Sequence, residues 1–209
     1  MSRFKNFIPV VGAGALAVSM MTPAIVGAQA PPQDPRTQLE YEPVTAERLT
    51  NPADGDWLMI RRSYDGWGHS PLDEITTENV GQLRPVWTFG TGETSGHEAP
   101  PVVNDGIMFV STPRNQVIAI DILSGTELWR YRNIRAEGAS VPHETNRGVA
   151  LYDDKVYVVS GEAILVALDA RTGEEVWEST FADNSSGYYS TVAPLIADGT
   201  VMIGASGGE

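Results

Sequence analysis

Two segments of this chain are versions of one another. Ala119–Trp129 reads AIDILSGTELW, and Ala167–Trp177 reads ALDARTGEEVW. The paired aspartates (169 − 121) and the paired tryptophans (177 − 129) are each 48 residues apart. Self-similarity at a period of about 40–50 residues means a stack or ring of like units, each burying its faces against its neighbours. A four-stranded propeller blade takes roughly 40–45 residues, and a ring needs about 4–8 blades. With 209 residues, the chain holds a lead-in, about three such units and part of another. It reads as the N-terminal piece of a longer protein.

The strand signals agree with that period. Short Val- and Ile-rich runs bounded by turn formers occur at Ile107–Ser111, Gln116–Asp121 and Glu127–Tyr131, then at Lys155–Ser160, Ile164–Asp169 and Glu175–Ser179. Thr200–Ile203 opens a third set, and Leu83–Phe89 reads as an earlier strand of the same kind. Asp105-Gly106, Asp153-Asp154 and Asp198-Gly199 precede matching strands and suit tight hairpin turns. The expectation is an all-β, antiparallel propeller, incomplete here. Before the strands, Thr45–Leu49 suits one helical turn, Trp57–Tyr64 a short helix or strand, and Tyr64–Leu72 an ordered loop. Ile75–Val80 suits a turn or short helix.

The repeat has a mechanical reading. Asp121 and Asp169 can each accept backbone N–H groups two residues on, and Gly125 and Gly173 can supply the positive φ that closes such a turn. Trp129 and Trp177 follow on the next strand, where a large flat ring can bridge to a neighbouring unit. These aspartates are therefore structural and not catalytic acids.

A net charge of −13 disfavours nucleic acid and anionic membrane surfaces as partners. Residues 1–28 have the layout of a secretory signal peptide: Arg3 and Lys5, an apolar stretch from Phe7 to Met21, and small-residue cleavage sites at Val26-Gly27-Ala28 and Ala28-Gln29-Ala30. Cleavage after Ala28 is preferred, since the other site leaves Pro31 just after the cut. Residues 29–56 follow as an extended lead-in, and 57–209 carry the blades. An exported chain without cysteine has no disulfide staple, no thiolate metal site and no cysteine nucleophile.

The A-x-D-x-x-[ST]-G-x-E-x-W unit resembles the tryptophan docking motif of eight-bladed quinoprotein dehydrogenases, periplasmic enzymes that carry pyrroloquinoline quinone (PQQ). Trp67-Gly68-His69-Ser70-Pro71-Leu72, with Ile75 and Asn79-Val80, resembles the N-terminal signature of the methanol/ethanol dehydrogenase branch. Gly96-His97-Glu98-Ala99-Pro100-Pro101, Asn146-Arg147-Gly148 and Gly204-Ala205-Ser206-Gly207-Gly208-Glu209 follow in that family's order.

The resemblance implies a set of cofactor contacts. PQQ bears three carboxylates and a quinone; the Arg147 guanidinium can fork onto paired oxygens, and by the resemblance it contacts the quinone oxygens. Glu98 matches a glutamate at the cofactor edge, and Thr191 a threonine on a cofactor carboxylate. Ser206, Gly207 and Gly208 match a serine-glycine segment whose hydroxyl and backbone N–H groups approach cofactor oxygens. Glu209 matches a carboxylate ligand of the active-site cation, Ca²⁺ or a lanthanide. The chain departs from the pattern at one place. Alcohol-oxidising members carry adjacent cysteines shortly before the arginine, whereas this chain reads Ser140-Val141-Pro142-His143. His143 lies four residues before Arg147, a spacing similar to that of the membrane glucose dehydrogenase branch, where a histidine packs on the cofactor face. His69 and His97 read as structural.

The implied function is oxidation of a primary alcohol or polyol in the periplasm, by hydride transfer to the quinone, with a cytochrome c or quinone as electron acceptor. The catalytic base and the remaining cation ligands are expected beyond Glu209, so 1–209 alone is expected to be inactive. Two alternatives stand beside this reading. One is a PQQ enzyme acting on a sugar or cyclic polyol, motivated by His143. The other is a non-catalytic propeller that binds protein partners, which would not need Glu98, Arg147 and the Ser-Gly-Gly-Glu block together.

Overall fold

The computed structural model describes residues 39–94, 96–133 and 137–208. The expected leader and Glu209 lie outside the described residues. Two four-stranded antiparallel sheets dominate. The first runs β1 (Val102–Asn104), β2 (Ile107–Thr112), β3 (Gln116–Asp121) and β4 (Glu127–Arg132), each strand pairing with the next. The second repeats this with β5 (Ala150–Tyr152), β6 (Lys155–Val159), β7 (Ile164–Asp169) and β8 (Glu175–Thr180). A third unit is partly formed: β9 (Tyr188–Tyr189) pairs with β12 (Ser206–Gly207), and β10 (Leu195–Ala197) pairs with β11 (Thr200–Met202). The sheets follow one another as blades of a propeller whose ring is not closed.

The 48-residue interval extends to fine structure. The ladder of β3 with β4 slips between Ala119 and Ile120, and that of β7 with β8 slips between Ala167 and Leu168. Ala119 faces Phe109 on one side and Trp129 on the other, and Ala167 faces Tyr157 and Trp177. A small residue in the middle strand lets the flanking rings meet across it. Their centroids are 5.8 Å apart in the first sheet and 5.9 Å in the second. The hairpin turns fall where expected. Asp105, Asp153 and Asp198 have φ of 46°, 52° and 47°, the positive values that two-residue hairpin loops require.

The repeated turns and tryptophans join the units. Asp121 accepts the N–H groups of Leu123 and Ser124 at 3.1 and 2.7 Å, and Asp169 accepts those of Arg171 and Thr172, both at 2.9 Å. The Trp129 indole N–H donates to the carbonyl of Ala170 at 2.9 Å, and its ring lies over Gly173. Trp87 does the same one unit earlier, donating to the carbonyl of Ile122 at 2.9 Å and covering Gly125. Each docked ring thus belongs to one unit and the turn beneath it to the next.

The lead-in is short and well tied. Thr45 caps the helix α1 (Ala46–Thr50) by accepting the Arg48 N–H at 3.2 Å. The Arg48 guanidinium then reaches Asp56 at 2.7 Å and Asn104 at 2.8 Å, while Val44 bridges to Asp153. This strap therefore touches the turns of both full sheets. Trp57–Tyr64 forms neither helix nor strand but a series of turns with one bridge from Trp57 to Val103. A 3₁₀ turn at Val80–Gln82 precedes Leu83.

Leu83–Phe89 is not a strand, contrary to its sequence pattern. It has no ladder partner among the described residues, and without one its alternation is not converted into hydrogen-bonded sheet. No helix among the described residues is long and apolar enough to cross a membrane.

Candidate functional site

Three loops enter the first strands of three successive units, and each carries one residue of the cluster. Glu98 lies just before β1, Arg147 just before β5 and Thr191 just before β10. The anchor is Asn146, which is buried. Its side-chain N–H donates to the Val159 carbonyl at 2.8 Å, its side-chain oxygen accepts the Gly148 N–H at 3.0 Å, and its backbone bridges to His97. Gly148, at φ 135°, lies so near Ala193 that an added Cβ would sit 3.3 Å from the alanine's own. Between these two fixed neighbours Arg147 projects with half of its side chain exposed (51%).

The Arg147 backbone N–H donates to the Thr191 carbonyl at 3.1 Å, and its guanidinium donates to the Thr191 hydroxyl. A second guanidinium nitrogen lies 3.2 Å from a Glu98 carboxylate oxygen. With both partners about half exposed, this ion pair contributes only about 0–1 kcal/mol. Its significance is positional: two charges and a hydroxyl from three units converge. Arginine carries five N–H donors in a planar fork, so the cluster keeps donors for a bound anion.

Tyr188–Thr191 joins this cluster to the Ser-Gly-Gly segment. Ser206 pairs with Tyr189 and Gly207 with Tyr188, while the buried Ser190 hydroxyl donates to the Gly204 carbonyl at 2.7 Å. Ser206, Gly207 and Gly208 are exposed. Gly207 and Gly208 have φ of 83° and 80°, and an added Cβ would overlap the Gly187 carbonyl or the Tyr188 ring. Both glycines are therefore required by the turn itself, independently of any ligand.

His143 is exposed and reaches the cluster through a residue that the sequence reading did not single out. Its ring centroid lies 6.0 Å from that of Tyr189, the planes inclined at 57°. Tyr189 is one strand position from Ser190 and also borders Gly207. Its only sequence signal is a Tyr-Tyr pair before Ser190-Thr191. His97 lies 2.9 Å from the Thr91 hydroxyl through Nε2, in keeping with a structural part. Among the described residues no group of three or more His, Asp or Glu side chains is placed to hold a metal ion. Glu209, the expected cation ligand, lies outside them.

Comparison with known proteins shows the family of the chain. The profile described as "PQQ: Glucose/ethanol/alcohol dehydrogenase, beta-propeller domain" matches residues 57–208. The chain belongs to this family. It is 40% identical over 168 residues to quinohemoprotein alcohol dehydrogenase ADH IIB of Pseudomonas putida, covering 78% of this chain and 24% of that protein. It is 36% identical over 161 residues to the lanthanide-dependent methanol dehydrogenase of Methylacidiphilum fumariolicum, covering 74% and 26%. The crystal structure of the quinohemoprotein alcohol dehydrogenase from Comamonas testosteroni superimposes with a TM-score of 0.72 at 37% identity, over 78% of this chain and 25% of that one. The chain therefore spans about a quarter of the length of these relatives. The propeller expected from the 48-residue repeat is the fold of this PQQ family.

Proposed function

We propose that this chain is the N-terminal part of a periplasmic PQQ-dependent dehydrogenase that oxidises a primary alcohol or polyol. The observation that carries the reading is the meeting of Glu98, Arg147 and Thr191 from three consecutive units at one end of the propeller. A cationic fork with spare donors, a hydroxyl and exposed backbone N–H groups is the donor set a tricarboxylate ring requires, so the residues fit the cofactor.

Arg147 would hold the quinone oxygens, with Glu98 fixing its direction, and Thr191 would meet a cofactor carboxylate. Ser206 and the backbone of Gly207 and Gly208 would meet a second edge of the ring. His143, backed by Tyr189, would face its plane. Glu209 would supply a carboxylate to Ca²⁺ or a lanthanide. When bound, PQQ would supply the two-electron acceptor for hydride from the alcohol carbon. Asp121 and Asp169 are committed to their turns, so no base for the alcohol proton is assigned among the described residues. The expected electron acceptor is a cytochrome c or a quinone. Support comes from the relatives, among them one named as a cytochrome c-linked and one as a quinone-linked 1-butanol dehydrogenase.

The test is reconstitution of the full-length protein with PQQ and Ca²⁺ or a lanthanide, assayed with an artificial dye against alcohols, polyols and glucose. Alcohol-dependent dye reduction is expected, and Arg147→Ala should weaken PQQ binding by about 100-fold, as loss of a paired charge implies. Glucose oxidation alone would move the assignment to the sugar enzyme. A protein that retains no PQQ and turns nothing over would leave the non-catalytic scaffold.

A further inference from the structure

The loop that carries His143 is held by its neighbours, and next to the histidine the Glu144 carbonyl accepts the Arg114 N–H at 3.3 Å. Two hydrogen bonds with the Asn184 side chain tie it to the third unit, and a third fixes Asn184 there. The Ser140 N–H donates to the Asn184 side-chain oxygen at 2.9 Å, and the Asn184 amide N–H group donates back to the Ser140 carbonyl at 2.7 Å. The same amide nitrogen donates to the Tyr188 carbonyl at 2.8 Å. Asn184 therefore pairs with both backbone groups of Ser140, as a neighbouring strand would, and fastens that pair to β9. Its own position is set by Asp183, which accepts from the Ser185 N–H at 3.0 Å and from the Ser185 and Ser186 hydroxyls at 2.6 and 2.7 Å. Three residues beyond Ser140, the His143 ring meets Tyr189, and a Cβ on Gly161 would strike Val141, so the loop is also seated against the second sheet.

We propose that Asn184 is a positioning residue for the PQQ site. It locks Ser140 to β9, so that His143 is held on Tyr189 facing the ring, beside the Arg147–Thr191 contact. The inference rests on the PQQ reading above. It adds a residue that touches no cofactor and acts through His143. The geometry is economical. Ser140, His143, Tyr188, Tyr189 and Thr191 all come from the 140–147 loop or the 188–191 segment, which the Arg147–Thr191 contacts join at one end and Asn184 joins at the other. Truncating Asn184 removes both bonds to Ser140 together, so the His143 end of the loop opens from β9 more often.

The experiment uses the full-length protein and four forms: parent, Asn184→Ala, His143→Ala and the double variant, with PQQ affinity read by fluorescence titration. Amide exchange at Ser140 in the cofactor-free protein is the second readout. Asn184→Ala should speed Ser140 exchange by about 10- to 100-fold. It should also weaken PQQ binding by about 10-fold, but should add nothing once His143 is gone. Asn184→Asp, which keeps the acceptor for the Ser140 N–H but removes both donations, should weaken PQQ binding in the same direction while leaving Ser140 exchange closer to the parent. It serves as the second variant if the alanine protein fails to fold.

Equal weakening by Asn184→Ala with and without His143 would overturn the proposal, because that is the signature of a general structural part. Unchanged PQQ affinity in Asn184→Ala would also overturn it, as would unchanged Ser140 exchange. A parent protein that binds no PQQ overturns the PQQ reading itself. A parent that binds PQQ without coupling between Asn184 and His143 overturns only this inference.

Discussion

The two complete sheets are the same object up to their last strands, and there they part. Strand for strand they share register and the slip opposite the alanine, and only β6, one residue shorter than β2, differs in length. Yet Trp129 on β4 is buried at 3% exposure, while Trp177 on β8 is 39% exposed and every residue of β8 is exposed. The local chemistry cannot explain this, since each tryptophan packs on an aromatic partner at nearly the same distance. The difference is the neighbour. Trp129 has the Ala170 carbonyl and Gly173 beneath it, supplied by the second sheet. The counterpart turn for Trp177 would fall about 48 residues further on, past Glu209. In this chain the stability of a repeat is set by the junction as much as by the sheet, as expected when each unit contacts only its neighbours.

Tryptophan truncation gives the largest effect that would break this comparison. Trp129→Ala removes a buried ring and its indole hydrogen bond and should cost about 3–5 kcal/mol. Trp177→Ala in the same 209-residue chain should cost less than about 1 kcal/mol, in line with other exposed substitutions. Urea unfolding of both variants is the check. Equal costs would mean that a tryptophan's own sheet, and not the following unit, decides its contribution.

Glycine substitutions sharpen the point from the other side of the junction. Gly173→Ala adds a Cβ that overlaps the Trp129 ring at a residue with φ of 72°. Overpacking and backbone strain together should cost about 2–4 kcal/mol. Gly125→Ala makes the same collision with Trp87, 2.7 Å from its ring. Trp87 is only half-buried and can give way, so this change should cost about 1–2 kcal/mol. A smaller loss in Gly173→Ala than in Gly125→Ala, measured by thermal unfolding, would contradict the ranking by burial.

The same contrast explains what the sequence could and could not show. Gln116–Asp121 and Ile164–Asp169 are legible to the residue because a Val/Ile run ends at an Asp that begins a turn. The three-residue strands β1, β5 and β10 are too short to display a period, and their hydrogen bonds depend on partners across a hairpin. Leu83–Phe89 shows the converse: a strand-like pattern with no partner among the described residues stays unpaired, although its Trp87 still docks. At the candidate site, Glu98, Arg147 and Thr191 came from the resemblance, and their convergence is a property of the repeat. Asn184 and Tyr189 carry no local signal. Ser140 and Asn184 are 44 residues apart, and nothing in Asp183-Asn184-Ser185-Ser186 announces a partner in another unit.

The smallest effect concerns the first of the paired turns alone. The Asp121 carboxyl is held below its ordinary value, chiefly by the Ser124 hydroxyl and then by the Ser124 and Leu123 N–H groups. A carboxyl lowered in the folded state contributes stability above its unfolded value, near pH 4, and loses it as the pH falls through the folded one. The side chain is only partly buried and open to solvent, so the contribution is slight. Asp121→Asn keeps an acceptor but removes the titration. It should therefore leave stability near pH 7 almost unchanged and remove one small component of the acid limb below about pH 4. The Leu123 and Ser124 amide shifts, followed by NMR from pH 6 to 2, are the direct readout. Titration of those amides at or above the ordinary aspartate value would mean that the turn does not draw on the charged carboxylate.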